Sequence, residues 1–195
     1  MSLIEQRYHE KRSTYSDIFE HLPTLYKYAS ECSHVTEMGT REHVGTWSFL
    51  LGKPKKYVGV DFYVSPHLPE VEQAAKEEGI DFKFIQTCTL APDFVIEDTE
   101  FLFIDTAHTY AQLKQELARH AHKVSKYIGF HDTVTNGYVN EPPYEANAHI
   151  EAAVPPDAPK GLIPAIEEFI AANPQWQVHE HYQNNNGLTI LKKVA

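Results

Sequence analysis

Residues Phe101–Ile104 (FLFI) form an apolar run with no polar position to face water, and Asp105 ends it. A strand with one wet face alternates apolar and polar side chains; an unbroken apolar strand needs cover on both faces. That cover is the mark of a parallel sheet sandwiched between helices, and the flanking sequence supplies both. Further strands are predicted at 34–38, ending at Gly39, at 57–60, ended by Asp61, and at 82–85 and 127–130. Helical spacing is read over 17–30, where Ile18, Leu22, Leu25 and Tyr26 share a face and Pro23 is an irregularity, and over 46–51, 69–78, 110–122 and 162–172. Strand and helix alternate, which implies a doubly wound sheet.

The last two strands, 176–182 and 188–193, have no helix between them. Their link, Gln183-Asn184-Asn185-Asn186-Gly187, carries the Asn-Gly hairpin signal. The final strand is therefore expected to run antiparallel to its neighbours. The fold class expected is α/β: a Rossmann-like, doubly wound, mostly parallel seven-stranded sheet with a C-terminal antiparallel hairpin and helices on both faces. Residues 1–195 read as one domain, with N-terminal helices over 1–33. The polar, Pro- and Asn-rich stretch 133–159 is too long for a plain connection and reads as a lid or substrate loop. Tyr138 and Tyr144 within it are candidate substrate contacts. Trp47 and Trp176 read as core.

The formal net charge is −10, and Lys and Arg form no cluster. Phosphate backbones are bound by clustered cations, so nucleic acid is not an expected partner. No apolar run approaches a membrane span, and the polar N-terminal segment lacks an apolar signal region. A cytoplasmic protein with a small-molecule substrate is expected, with homo-oligomerisation left open. Cys32 and Cys88 belong to no CxxC and are expected to be buried thiols.

The first strand-to-helix loop, Glu37-Met-Gly-Thr-Arg-Glu-His-Val-Gly-Thr-Trp, lies where ligands bind in open α/β sheets. Gly39 admits close backbone approach. Glu37 is a carboxylate suited to an ammonium group. Asp61, at the tip of the next strand, is placed to accept hydrogen bonds from ribose hydroxyls. The loop lacks the GxGxxG that cradles a pyrophosphate, which favours adenosylmethionine over NAD. Thr40, His43, Thr87 and Asp105 complete the set of expected cofactor contacts.

A second group lies on the same sheet edge. Asp105 ends one strand, His108 follows three residues later, and His131 and Asp132 end the next. Methylation of a hydroxyl requires removal of its proton, a task for a histidine. A divalent cation bound by hard carboxylate oxygens also acidifies a hydroxyl. Singly, Asp105 also reads as a cap for the following helix and His131 as a core histidine. His120 and His122, at a helix end, read as cations that complement the dipole.

EMGTREHVGTWSFLLG resembles the first motif of class I methyltransferases, and with GLIPAIEEFIAANPQW and NNNGLTILKK it is most similar to the cephalosporin hydroxylase-like and macrolide sugar O-methyltransferase group. Relatives in that group carry a second glycine where this chain has His43. Their Asp-x-x-His and following acidic pair imply Asp105 and Asp132 as ligands of Mg²⁺ or Mn²⁺ and His108 as the base. His131 stands in the place of the first acid of that pair and is a third candidate ligand. Imidazole suits Mn²⁺, Fe²⁺ or Zn²⁺ better than Mg²⁺. The resemblance implies an S-adenosylmethionine-dependent O-methyltransferase; the residues alone also leave open a non-catalytic binding protein of this fold or an NAD-type oxidoreductase.

Overall fold

A computed structural model describes residues 1–142 and 148–194. In chain order the elements are α1 Leu3–Ser13, α2 Leu22–Ala29, β1 His34–Met38, α3 Thr46–Leu51, β2 Lys56–Asp61, α4 Leu68–Glu77, β3 Asp81–Gln86, β4 Thr99–Ile104, α5 Tyr110–His120, β5 Val124–His131, α6 Ala148–Glu151, α7 Leu162–Ala172, β6 Trp176–Tyr182 and β7 Leu188–Lys193. The seven strands form one sheet in the order β3-β2-β1-β4-β5-β7-β6. β3, β2, β1, β4 and β5 pair in parallel, and β7 is antiparallel to both β5 and β6. This is the architecture expected, hairpin included.

The FLFI strand shows why two layers are needed. Phe101 and Phe103 enter a core with Leu25 and Tyr28 of α2, Trp47 and Phe49 of α3, and Val71 of α4. Leu102 and Ile104 enter the opposite core with Tyr110, Leu113 and Leu117 of α5 and Leu162 and Ile166 of α7. All four side chains are buried. Each such burial is worth about 1.5–3 kcal/mol, so both helix layers are held to the sheet by this strand. Trp47 and Trp176 are core residues, as expected.

Three local expectations are corrected. The helix read over 17–30 starts only at Leu22, after a short 3₁₀ turn at Phe19–His21. Pro23 sits in its first turn, where a missing N–H costs nothing. α5 stops at His120, and His120 is no exposed cation. It is fully buried, its Nε2 lies 2.8 Å from the Thr89 carbonyl, and burial pushes its pKa down. Cys32 is buried, but Cys88 is exposed, because it lies in the loop beyond the edge strand β3. No helix among the described residues is long and apolar enough to cross a membrane.

The Phe103 ring packs 5.4 Å from that of Phe49 and beside Gly129 of β5, where an added Cβ would stand 3.0 Å from it. Phe103→Ala is expected to destabilise the protein by about 3–5 kcal/mol, read from the urea midpoint at unchanged m-value.

Candidate functional site

The parallel register aligns the ends of the strands. Met38 lies opposite Val60 and Ile104, Asp61 opposite Gln86, and Ile104 opposite Phe130. Gly39, Thr40, Asp61, Thr87, Asp105, His131 and Asp132 therefore lie along one edge. The strand order reverses between β1 and β4, so the crevice expected at that switch point opens between Gly39 and Asp105.

Glycine is required at position 39. Its φ is +88°, and a Cβ there would lie 2.0 Å from the Asp105 carbonyl oxygen. Beyond it the loop twists through two further left-handed residues, Arg41 (φ 40°) and His43 (φ 60°). A left-handed backbone at 43 explains why a glycine suits this position. The Arg41 N–H donates to Asp61 Oδ2 at 2.9 Å, and the Tyr63 N–H donates to Oδ1 at 2.9 Å. Each carboxylate oxygen keeps a second lone pair, so Asp61 braces the loop and can still accept from a ligand hydroxyl.

Two residues expected as cofactor contacts are held from within the fold. The Glu37 side chain faces inward, where Oε2 accepts from Thr46 Oγ1 at 2.6 Å and from the Tyr57 hydroxyl. Burial pushes its pKa up to about 8; the Thr46 and Tyr57 bonds oppose that shift, and Asp105 and Asp61 add to it. The His43 ring is also enclosed, with Nδ1 3.1 Å from Thr46 Oγ1 and Phe84 against its face, and burial lowers its pKa to about 4.

The second group does converge. His108 Nε2 lies 3.1 Å from Asp105 Oδ1 and 3.2 Å from Asp132 Oδ2. His131 Nδ1 lies 2.9 Å from Asp132 Oδ2 and 3.4 Å from Asp105 Oδ1. Asp105 does not cap α5: Thr109 does, accepting from the Gln112 N–H at 3.2 Å. Nor is His131 a satisfied core histidine. Its Nε2 meets the Asn185 carbonyl at 3.1 Å, but Nδ1, fully enclosed, has no hydrogen-bond partner despite the nearby oxygens. Those short separations lack hydrogen-bond angles, so we read them as lone pairs that converge on a shared point. Asp105, His131 and Asp132 each offer one donor atom within 4.8 Å of the others. Asp132 takes a left-handed backbone (φ 57°), one of the strained conformations common where function dictates geometry.

Glu141, which no spacing in the sequence marked, completes the surroundings of His108. It accepts from the His108 N–H at 2.7 Å, and its Oε2 lies 3.2 Å from Nδ1. Burial would lower the His108 pKa, but Asp105, Glu141 and Asp132 outweigh it and raise it to about 10. Burial would likewise lower His131, but Asp105 and Asp132 outweigh it and raise its pKa to about 11. Asp105 is held far below the ordinary carboxylate range, burial notwithstanding, by the His131 and His108 imidazoliums.

The segment after β5 begins as a strap over this cluster. Asn140 accepts from the Tyr110 and Gly161 N–H groups, and Glu141 follows it. Tyr138 is exposed, and Tyr144 lies outside the described residues. A cavity of about 550 Å³ is lined by Tyr15, Asp17, Phe19, Glu20, Arg41 and Asn185 among others, and the Asn185 carbonyl meets His131 Nε2. It falls within the usual size range of ligand sites. The sequence marked 15–20 only as part of an N-terminal helical region and 183–187 only as a turn.

No family model matches the chain, and no curated protein matches it in sequence. Solved structures do match in shape. They include an O-methyltransferase from Bacillus cereus in complex with SAH, with TM-score 0.63, 13% identity, and 97% of this chain and 90% of that one covered. The O-methyltransferase TomG from Streptomyces achromogenes, in complex with SAM, gives 0.60 at 11% identity, with coverage of 98% and 89%. The SAH-bound methyltransferase PaMTH1 from Podospora anserina gives 0.58 at 13%, with coverage of 98% and 88%. The fold of class I methyltransferases, expected from the sequence, is the fold of this chain.

A pH prediction follows from Glu37. Its folded pKa, about 8, lies above the ordinary 4.5, so its contribution to stability is complete below pH 4.5 and is lost as pH rises through about 8. Glu37→Gln keeps an acceptor for Thr46 and Tyr57 and removes the titration. The melting temperature of the native protein should fall relative to this variant across that window. Parallel curves would show that Glu37 does not titrate there.

Proposed function

We propose that this chain is an S-adenosylmethionine-dependent methyltransferase acting on a hydroxyl of a small molecule. The observation that carries the proposal is the Asp105–His108–His131–Asp132 cluster, half to fully buried at the switch point of the sheet. The carbonyl of Asn185, which also lines the cavity by the N-terminal segment, meets His131 Nε2. Such a concentration of charge at a crevice mouth is costly for stability and useful for chemistry. The fold shared with SAM- and SAH-bound methyltransferases supports the cofactor part of the reading.

Asp61 would accept from the ribose hydroxyls of the cofactor, with Gly39, Thr40 and Thr87 as neighbouring loop contacts. Bound there, adenosylmethionine would supply an electrophilic methyl group on sulfur. His108 is the proposed base, its ring oriented by Glu141 at Nδ1, with Nε2 turned to the Asp105 and Asp132 carboxylates. A base must first be neutral, and three carboxylates oppose that. A divalent cation held by Asp105, His131 and Asp132 would take up their charge and acidify an acceptor hydroxyl. The donor set fits one: two carboxylates and an enclosed ring nitrogen without a partner.

Adenosylhomocysteine should raise the melting temperature, with about 2.7 kcal/mol of stabilisation at a hundredfold excess over Kd. No stabilisation at saturating concentration would remove the cofactor assignment. His108→Gln should keep that thermal shift and lose turnover about 10²–10⁴-fold. Unchanged turnover would remove His108 as the base. Adenosylhomocysteine binding by a native protein that turns over no hydroxylated acceptor would favour a non-catalytic role.

A further inference from the structure

One member of the Asp105–His131–Asp132 cluster, His131, offers nitrogen rather than oxygen, and the structure around that imidazole has a chemical consequence. Its Nε2 faces the backbone carbonyl of Asn185 at 3.1 Å. A carbonyl only accepts, so Nε2 carries the hydrogen. The neutral ring, the form a cation would bind in place of the ring's second proton, then keeps its lone pair on Nδ1. Nδ1 is enclosed, makes no hydrogen bond, and stands 2.9 and 3.4 Å from oxygens of Asp132 and Asp105. Ligands about 2.1 Å from one ion and at right angles to each other stand about 3 Å apart. The two separations match neighbouring positions around a shared centre.

The carbonyl that sets the tautomer is itself held. Asn185 adopts a left-handed backbone (φ 44°) in the β6–β7 hairpin. Its side chain accepts from the Glu20 N–H and donates to the Ser16 carbonyl, both at 3.0 Å. His21 Nε2 reaches the carbonyls of Asn184 and Asn185 at 3.0 and 3.2 Å, and its ring packs edge-on to that of His131. Two imidazoles thus converge on the Asn185 carbonyl, one from the N-terminal region and one from the site. Hydrogen bonds from a ligating histidine to a backbone carbonyl fix ring orientation and raise ligand basicity.

We infer that His131 is a nitrogen ligand that makes the Asp105–His131–Asp132 site select a first-row transition cation, of the Mn²⁺, Fe²⁺, Co²⁺ or Zn²⁺ kind, over Mg²⁺. We infer also that Asn185, seated by His21, is the support that presents its lone pair. Mg²⁺ prefers oxygen donors and near-ideal octahedral geometry, whereas imidazole is a favourable ligand for the later metals. The inference rests on the reading of the cluster as a cation site and adds which cation the site takes.

The test uses the full chain freed of metal by a chelator. Co²⁺ binding is followed by visible absorption, Mn²⁺ by electron paramagnetic resonance and Mg²⁺ by calorimetry. Co²⁺ should bind at least about tenfold more tightly than Mg²⁺, and the Mn²⁺ spin-echo spectrum should show imidazole nitrogen modulation. His131→Asp should abolish the modulation and cut the Co²⁺-over-Mg²⁺ preference about tenfold or more. His21→Gln should weaken Co²⁺ about 10–100-fold, the usual effect of losing an outer support, with adenosylhomocysteine binding retained. Should His131→Asp fail to fold by circular dichroism, the nitrogen modulation of the native protein decides alone. Mg²⁺ binding as tight as Co²⁺, or Mn²⁺ bound without a nitrogen signal, overturns the selectivity and leaves the cation reading standing. Failure of every cation to bind overturns both, while adenosylhomocysteine stabilisation continues to report the cofactor assignment separately.

Discussion

Strands β1 and β4 lie side by side, and just beyond them Gly39 passes so near the Asp105 carbonyl that a Cβ would stand 2.0 Å from it. This contact brings the two halves of the proposed site together. On one side it carries the loop to Arg41, whose N–H is held by Asp61. On the other it sets the backbone from which Asp105 reaches His108 and His131. β4 is sealed between helix layers, which fixes the strand end that carries Asp105. An unbroken apolar strand thus governs where the polar chemistry sits.

The polar groups on this edge divide into two kinds. Glu37, with Thr46 and Tyr57, and Glu116, with Thr89, Thr106 and Gln112, are buried carboxylates that accept hydrogen bonds from neutral side chains and have pKa values raised by burial. They tie loops to the framework. Asp105, His108, His131, Asp132 and Glu141 instead gather three negative side chains around two imidazoles and leave one enclosed nitrogen unpaired. Native structures avoid such residues of unsatisfied polarity unless they are used, which is why the proposed chemistry is assigned to the second group.

The strand positions were legible because period and burial go together. FLFI needed two covers, TWSFLL and LIPAIEEFIAA were apolar enough to supply them, and NNNG could only turn back. Asp61, Asp105, His131 and Asp132 were legible too, since a parallel register places every strand end on one edge. The inward bonds of Glu37 and His43 were not legible. Residue order locates a side chain at a strand end or in a loop, but the direction it takes depends on backbone twist, and the left-handed turn at His43 drives its ring inward. Glu141 and His21 gave no signal at all. The contact of Glu141 with His108 spans 33 residues of chain, and those of His21 with the hairpin loop span more than 160.

The sequence by itself determined the layered sheet, its antiparallel end and the edge on which acids and histidines collect. Those follow from local hydrophobic period and from the geometry of parallel pairing, which hold whatever the loops do. Only the tertiary structure decided which of those residues face one another, which nitrogen of His131 keeps its lone pair, and that a carbonyl in a distant hairpin makes the choice. Hydrogen-bond partners of this kind are set by contacts between segments remote in the chain, and no local pattern records them.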